Sequence, residues 1–248
     1  MIEHYLIGID DTDNLETKGT GFRAREIAKL IINKLGGLVH NISRHQLFFD
    51  PRIPFTSHNS SLCLDVTTDK IEAVKKICID YLLEFSAPGS DAGLCIVNKK
   101  NITNQLIEWG QRAKCEVLTQ SEAKQIASIN DYFLIGLTGT HDGIIGSMAG
   151  VGLRASGNDG RINWLIGREV RDMYGNFSAS EIKTTLRIDK ILNTDNKEIP
   201  DDSMVFTRDW IRPVIRNHEI TLLVEEEKNN ENYNYKILPK DIIKELSN

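Results

Sequence analysis

Apolar and polar positions alternate along this chain in segments of a few residues, and their periods predict strands and helices by turns. Tyr5-Leu6-Ile7-Gly8-Ile9 is a short unbroken apolar run, the pattern of a strand buried on both faces. Residues 21–35 carry Phe22, Ile27, Leu30, Ile31 and Leu35 near helical spacing, and Gly36-Gly37 marks the stop. Residues 37–49 read as extended and 61–67 as a strand. The loop between them, 50–60, is long and polar with two prolines, which marks it as functional. A helix is predicted from Asp69, with Ile71, Val74, Ile77, Cys78, Tyr81 and Leu82 on its apolar face.

Beyond the Pro88-Gly89 turn, a strand is predicted at 94–97, helices at 103–114 and 121–128, and a strand at 132–136. A glycine-rich turn at 139–143 then opens a helix of small residues. Past Leu165 the pattern loosens. It predicts a strand at 185–192, a polar linker at 193–202, a strand at 219–225, an acidic loop at 226–234 and a short helix opened by Pro239. This alternation predicts an α/β fold with a mixed sheet. The expected division is a kinase-like domain over 1–190 and a small α+β appendage over 191–248, with too few apolar residues for a core of its own.

Composition narrows the field. A net charge of −5 argues against a general nucleic-acid binder. No apolar run approaches a membrane span, and Cys63, Cys78, Cys95 and Cys115 lack paired zinc spacing. The expectation is a cytoplasmic protein with reduced, mostly buried thiols and no membrane partner. A homodimer is admitted.

The chemistry concentrates where the first strand ends. Gly8-Ile9-Asp10-Asp11-Thr12-Asp13 places three carboxylates at that end, where open α/β sheets bind ligands. Such charges repel and need a compensating cation, and Mg²⁺ takes carboxylates together with substrate phosphates. Lys18 supplies a point charge, and Gly19 and Gly21 allow close backbone approach to phosphate. The alternative is an acidic turn whose aspartate caps the next helix. His141, Gly143, Gly146 and Ser147 form a second candidate phosphate cradle, where a helix start presents N–H groups to an anion. Its alternative is tight helix packing through small residues. His58 and His141 lie in candidate loops. His4, His40, His45 and His218 show no metal-ligand grouping in sequence, and Trp109, Trp164 and Trp210 read as packing residues.

The run at 8–13 with Thr20 after it, Pro51-Arg52-Ile53-Pro54, the Pro88-Gly89 turn, and Gly143-Ile144-Ile145-Gly146 through Val151-Gly152 together resemble the archaeal tRNA(Ile) agmatinylcytidine synthetase (TiaS) family. The resemblance spans roughly the first 155 residues, and four ordered matches are far more specific than one. It implies a kinase-like domain that uses ATP to phosphorylate an acceptor oxygen. The family's aspartates fall on Asp10, Asp11 and Asp13, and its phosphorylated threonine on Thr20, with Gly19 in place of the expected cysteine. Family members continue into a full ferredoxin-like domain, an OB-fold and a zinc ribbon. This chain reads as ending in a shortened version of the first, and Thr56-Ser57-His58-Asn59-Ser60-Ser61 replaces a more basic stretch.

The leading expectation is therefore an ATP- and Mg²⁺-dependent phosphotransferase or ligase. Its acceptor is an unidentified small molecule rather than intact tRNA, so the chemistry is like that of tRNA modification but the substrate is not. Asp10, Asp11, Asp13 and Thr20 would be catalytic, and the three aspartates would hold metal. A haloacid-dehalogenase-like phosphatase, with Asp11 and Asp13 as nucleophile and acid and Asn158-Asp159 as a second acidic pair, is the alternative enzyme. A non-catalytic nucleotide-binding regulatory module is the third reading.

Overall fold

The computed structural model describes residues 1–56, 58–165, 173–208 and 210–247. By its internal contacts the chain divides into Met1–Ser156 and Gly157–Asn248. That division falls ahead of the one expected between residues 190 and 191. The α/β class and the mixed sheet are as expected.

In the first unit, β1 (Glu3–Asp10) is the middle strand. It is antiparallel to β3 (Ser60–Thr68) on one side and to β4 (Gly93–Asn98) on the other. β2 (Leu38–Gln46) pairs outside β3, and β5 (Phe133–Gly136) outside β4. Alternation along β1 sends Leu6 to a core shared with Cys63, Cys95, Trp109, Ile144 and Met148. Its neighbour Ile7, also fully buried, faces the opposite side.

The helices form for reasons visible in the chain. α1 (Thr20–Leu35) buries Ala24, Ile27, Ala28 and Ile31, and stops at Gly36 in the left-handed region, φ 67°. α2 (Ile71–Phe85) buries Val74, Cys78 and Leu82 at helical spacing. α3 (Asn104–Arg112) and α4 (Gln120–Ile129) start where Thr103 and Thr119 accept N–H groups of Leu106 and Glu122. α5 (Gly143–Ser156) is buried along most of its length. It lies so close to the sheet that a Cβ on Gly8 would come within 1.9 Å of the Ser147 carbonyl oxygen. One on Gly93 would come within 2.1 Å of Gly143. Small residues therefore set the helix–sheet distance, the packing alternative for the glycine-rich stretch.

The second unit has its own core, built from residues on both sides of position 190. Ile162, Leu165, Ile182, Leu186, Ile191, Val205, Ile215, Leu222 and Val224 are among its buried residues. Its strands are β6 (Arg161–Leu165), β7 (Gly175–Ser178), β8 (Lys190–Leu192), β9 (Met204–Thr207), β10 (Val214–Arg216), β11 (Glu219–Glu226) and β12 (Tyr235–Ile237). Within this unit β8 runs parallel to β11, and β9 parallel to β12. The strand expected over 185–192 is only partly extended: its first two residues close α6 (Ala179–Leu186), and only β8 at its end is a strand. A reciprocal capping box between Ser178 and Glu181 commits the chain to a helix, and Ala179, Ile182 and Leu186 line its buried face. The terminal helix α7 (Lys240–Leu246) follows Pro239 as predicted.

Candidate functional site

β1 ends at Asp10, and the chain turns at once because Asp11 adopts a left-handed conformation, φ 49°. Aspartate tolerates this region better than most residues, but it is a strained choice of the kind that gathers at functional sites. The turn aims the aspartates in three directions.

Asp10 points to α5. A Cβ on Gly146 would lie 1.7 Å from its Oδ2, so the bare Gly146 backbone forms the wall behind this carboxylate. Burial, then the charges of Asp11 and Asp13, push the Asp10 carboxyl up to about 8. Asp11 faces the turn before β4. Burial, then the charges of Asp91, Asp13 and Asp142, raise it to about 6, although the Asp91 N–H donates to it.

Asp13 turns to the start of α1. Its Oδ1 accepts the Thr20 backbone N–H at 2.9 Å and the Thr20 hydroxyl at 2.6 Å. Its Oδ2 receives the more distant Thr56 hydroxyl at 3.4 Å. Thr20 is buried and also accepts the Thr12 hydroxyl at 3.1 Å. The residue capping α1 is Gly19, not Thr20, and the Asp13 carboxylate performs the capping. The acidic-cap alternative therefore holds for Asp13, while Asp10 and Asp11 have no such role.

Asp91 and Asp142 complete the acidic group, and no sequence argument singled them out. Both sit in turns already marked by glycine. The Asp91 carboxylate accepts the Thr140 N–H inside the turn made by Gly139, φ 56°, where a Cβ would come within 1.9 Å of its Oδ1. Asp142 accepts the Gln120 side-chain amide at 2.6 Å. The Pro88-Gly89 turn is tied to the acidic loop: Ala87 N–H donates to the Thr12 carbonyl at 3.0 Å, and the Asn14 amide to the Pro88 carbonyl at 3.3 Å.

The second candidate cradle is corrected in part. The N–H groups of Gly143, Ile144 and Ile145 donate to the carbonyls of Asp91, His141 and Asp142, so they are already occupied. Ser147 is fully buried, and its hydroxyl donates to the Ile144 carbonyl inside the helix. His141 is exposed on the turn before α5 with φ 73°. Lys18 is exposed, its Nζ 4.2 Å from the Phe22 ring centroid, and Gly19 precedes α1 with φ −62°, open to any residue. Gly21 is the second residue of α1.

In the loop at 50–60, Arg52 forms a two-point ion pair with Asp50 at 2.7 and 2.8 Å. Ser57 lies outside the described residues. Asn158 and Asp159 belong to the second unit, where the Asn158 side chain accepts the Asn217 N–H at 2.8 Å. Trp109 and Trp164 are buried packing residues, and Cys63, Cys78 and Cys95 are buried free thiols.

Whether these residues fit Mg²⁺ turns on the donors. Asp10 and Asp11 offer hard oxygen donors that no cationic side chain among the described residues neutralises, as a divalent ion with phosphate oxygens requires. The three aspartates do not form one ready-made cage. Among the described residues, only His4, His40 and Asp65 bring three ligand atoms within 4.8 Å of one another. That grouping was not foreseen. Its Asp65 also pairs with Lys99 at 2.9 Å and Arg154 at 2.8 Å. Two permanent cations there oppose a third positive charge, so the group reads as a buried ion network.

With this geometry in view, no protein-family model and no curated protein matches the sequence. Solved structures do match. The TiaS–tRNA(Ile2)–ATP complex aligns at TM-score 0.55 and 22% identity, over 60% of this chain and 36% of that one. The fold is TiaS-like. A tRNA fluorescent labeling enzyme aligns at TM-score 0.54 and 22% identity, with the same coverage. Apo TiaS, a tRNA(Ile2) agmatidine synthetase, aligns at TM-score 0.53 and 21% identity over 60% of this chain and 35% of its own. The chain thus spans about a third of the length of these three structures. Among the described residues, no helix is long and apolar enough to cross a membrane.

Proposed function

We propose that this chain is an ATP- and Mg²⁺-dependent phosphotransferase or ligase that activates an acceptor oxygen by phosphorylation. The observation that carries the reading is the pair Asp10 and Asp11, both raised well above ordinary carboxylates at the end of the central strand. Near neutrality Asp10 keeps its proton and would give it up to a divalent cation, while Asp11 is already mostly ionised beside it. The likeness to a TiaS structure holding ATP supports nucleotide as the ligand.

Bound Mg²⁺ would neutralise charge on the phosphates, held by Asp10 and Asp11. Asp13 holds the Thr20 hydroxyl and orients it as a proton donor or acceptor at the start of α1. Lys18 lies in the same loop and adds positive charge near the helix N-terminus. Phosphoryl transfer needs mainly such positioning and electrostatics. The acceptor is a small molecule or nucleobase-like group rather than intact tRNA, in keeping with the net charge of −5.

The phosphatase alternative needs Asp13 as its acid, but that carboxylate already accepts the Thr20 N–H and hydroxyl. Incubation with Mg²⁺ and either ATP or a generic phosphate ester tests the reading. ADP or AMP from ATP, with the ester untouched, is expected. Phosphate released from the ester would transfer the assignment to the phosphatase, and nucleotide bound without turnover would leave a regulatory module.

A further inference from the structure

Arg44 stands two strands from the acidic turn and was not singled out by any sequence pattern. Its partner across β2–β3 is Leu62, and the partner of Leu62 across β3–β1 is Ile9. The three residues therefore form one row and share one face of the sheet. That row lies at the end of β1, immediately before Asp10. Gly8 and Asp10 face α5, so Ile9 and Arg44 face the other side. α1, which opens beside Asp13, packs on that side.

The side chain is half-buried, and its Nε donates to the Ser60 hydroxyl at 2.9 Å, which fixes the plane of the guanidinium. Burial lowers its pKa while the Asp13 charge opposes that shift, so the two groups feel each other. They form no ion pair among the described residues. The two terminal amino groups have no hydrogen-bond acceptor among those residues, and neither is a buried orphan. A planar two-donor fork is thus held open within the field of Asp13, with which it forms no ion pair among the described residues. This arrangement fits an oxyanion that itself carries the metal.

We propose that the free fork of Arg44 binds the phosphoryl group of the nucleotide, opposite the cation held by Asp10 and Asp11. Arginine suits this role because its donors match phosphate oxygens two at a time and stay charged when partly buried. Arg44 forms no covalent bond and moves no proton; it stabilises charge on the transferring group. The proposal rests on the phosphotransfer reading, but its binding part can be judged apart from turnover.

The test is calorimetric titration of the full chain with inorganic tripolyphosphate and Mg²⁺, beside ATP turnover, for wild type, Arg44→Ala and Arg44→Lys. Arg44→Lys keeps the charge and serves as the folding control, with its thermal midpoint measured in parallel. Tripolyphosphate affinity should fall about tenfold or more in both variants, and turnover roughly a hundredfold. Added guanidinium ion should restore part of the turnover of Arg44→Ala. Arg44-dependent binding with no ATP turnover by wild type would overturn the phosphotransfer reading and leave the Arg44 site standing. Binding and turnover that both ignore Arg44, in variants that melt like wild type, would overturn the inference.

Discussion

The Asp10 carboxylate rests directly on the Gly146 backbone, with no room between them for a single methyl group: a Cβ there would lie 1.7 Å from Oδ2. This contact joins the last residue of the central strand to the first turn of α5. It explains a glycine inside a helix, where alanine is otherwise better by up to about 1 kcal/mol.

Gly146→Ala should therefore destabilise the protein despite its better helix propensity. Overpacking of a tight site costs about 1–3 kcal/mol. Asp10→Ala should remove most of that cost, so the two changes should be strongly non-additive in a thermal or urea denaturation cycle. Equal costs of Gly146→Ala in both backgrounds would show that the carboxylate is not what the methyl meets.

The raised carboxyls of Asp10 and Asp11 make stability depend on pH with a defined sign. An acid whose folded pKa exceeds its unfolded value, about 3.9 for aspartate, holds more protons in the native state. For Asp10, at about 8, metal-free stability should thus fall as pH rises from about 4 towards 8, then level off. Asp11, at about 6, contributes to the lower part of that window. Mg²⁺ should oppose the loss and bind more tightly at pH 8 than at pH 6, releasing protons. Thermal midpoints across this range with and without Mg²⁺ measure both effects. A midpoint that climbs with pH in the metal-free protein, and climbs equally in Asp10→Asn, would refute the assignment.

Asp10→Asn and Asp11→Asn should each abolish Mg²⁺-dependent nucleotide turnover. Metal-free stability should stay the same or rise, because a repelling carboxylate is removed. Asp13→Asn should also lose activity but should cost stability, since Asp13 holds Thr20 and caps α1. Steady-state ATP turnover beside melting curves separates the three. Near-normal activity in all of them would end the site assignment.

Thr20 is expected to accept a phosphoryl group slowly from ATP. Its hydroxyl already donates to Asp13, which would take the proton as oxygen bonds to the γ-phosphorus and ADP leaves. Intact-mass and peptide spectrometry after incubation with ATP and Mg²⁺ should find one phosphate on Thr20, and none in Thr20→Ala or Asp11→Asn. Thr20→Ala should also lose about 1.5–3 kcal/mol of stability, because its hydroxyl bonds a carboxylate. Turnover without phosphate on this residue would limit it to the structural role.

Intact tRNA should bind weakly and with a steep dependence on salt, because the chain is acidic overall. Gel shifts at low and physiological salt measure this. Tight, selective binding of one tRNA at physiological salt would restore tRNA as the acceptor.

Local signals in the sequence determined much of this protein. The apolar run at 5–9, the helix stop at Gly36 and the Pro239 start are each decided by a residue's own conformational preference, and they stand in the structure. The acidic turn at Asp10–Asp13 was legible because three carboxylates after an apolar run are costly without a use. The capping box at Ser178 and Glu181 was equally present in the sequence, but the apolar residues at 185–192 masked it. Only the tertiary structure decided what those local features meet. It gave residues 157–248 a core of their own, through pairings between strands of three to eight residues that carry weak signals singly. It turned Asp13 to α1, Asp11 to Asp91 and Asp10 to Gly146, and it consumed the N–H groups of the glycine-rich turn in holding α5 against the sheet. Asp91 and Asp142 join the site from turns far along the chain. Arg44 falls in one row with Leu62 and Ile9, the residue before Asp10, because strand register rather than sequence spacing sets which side chains share a face.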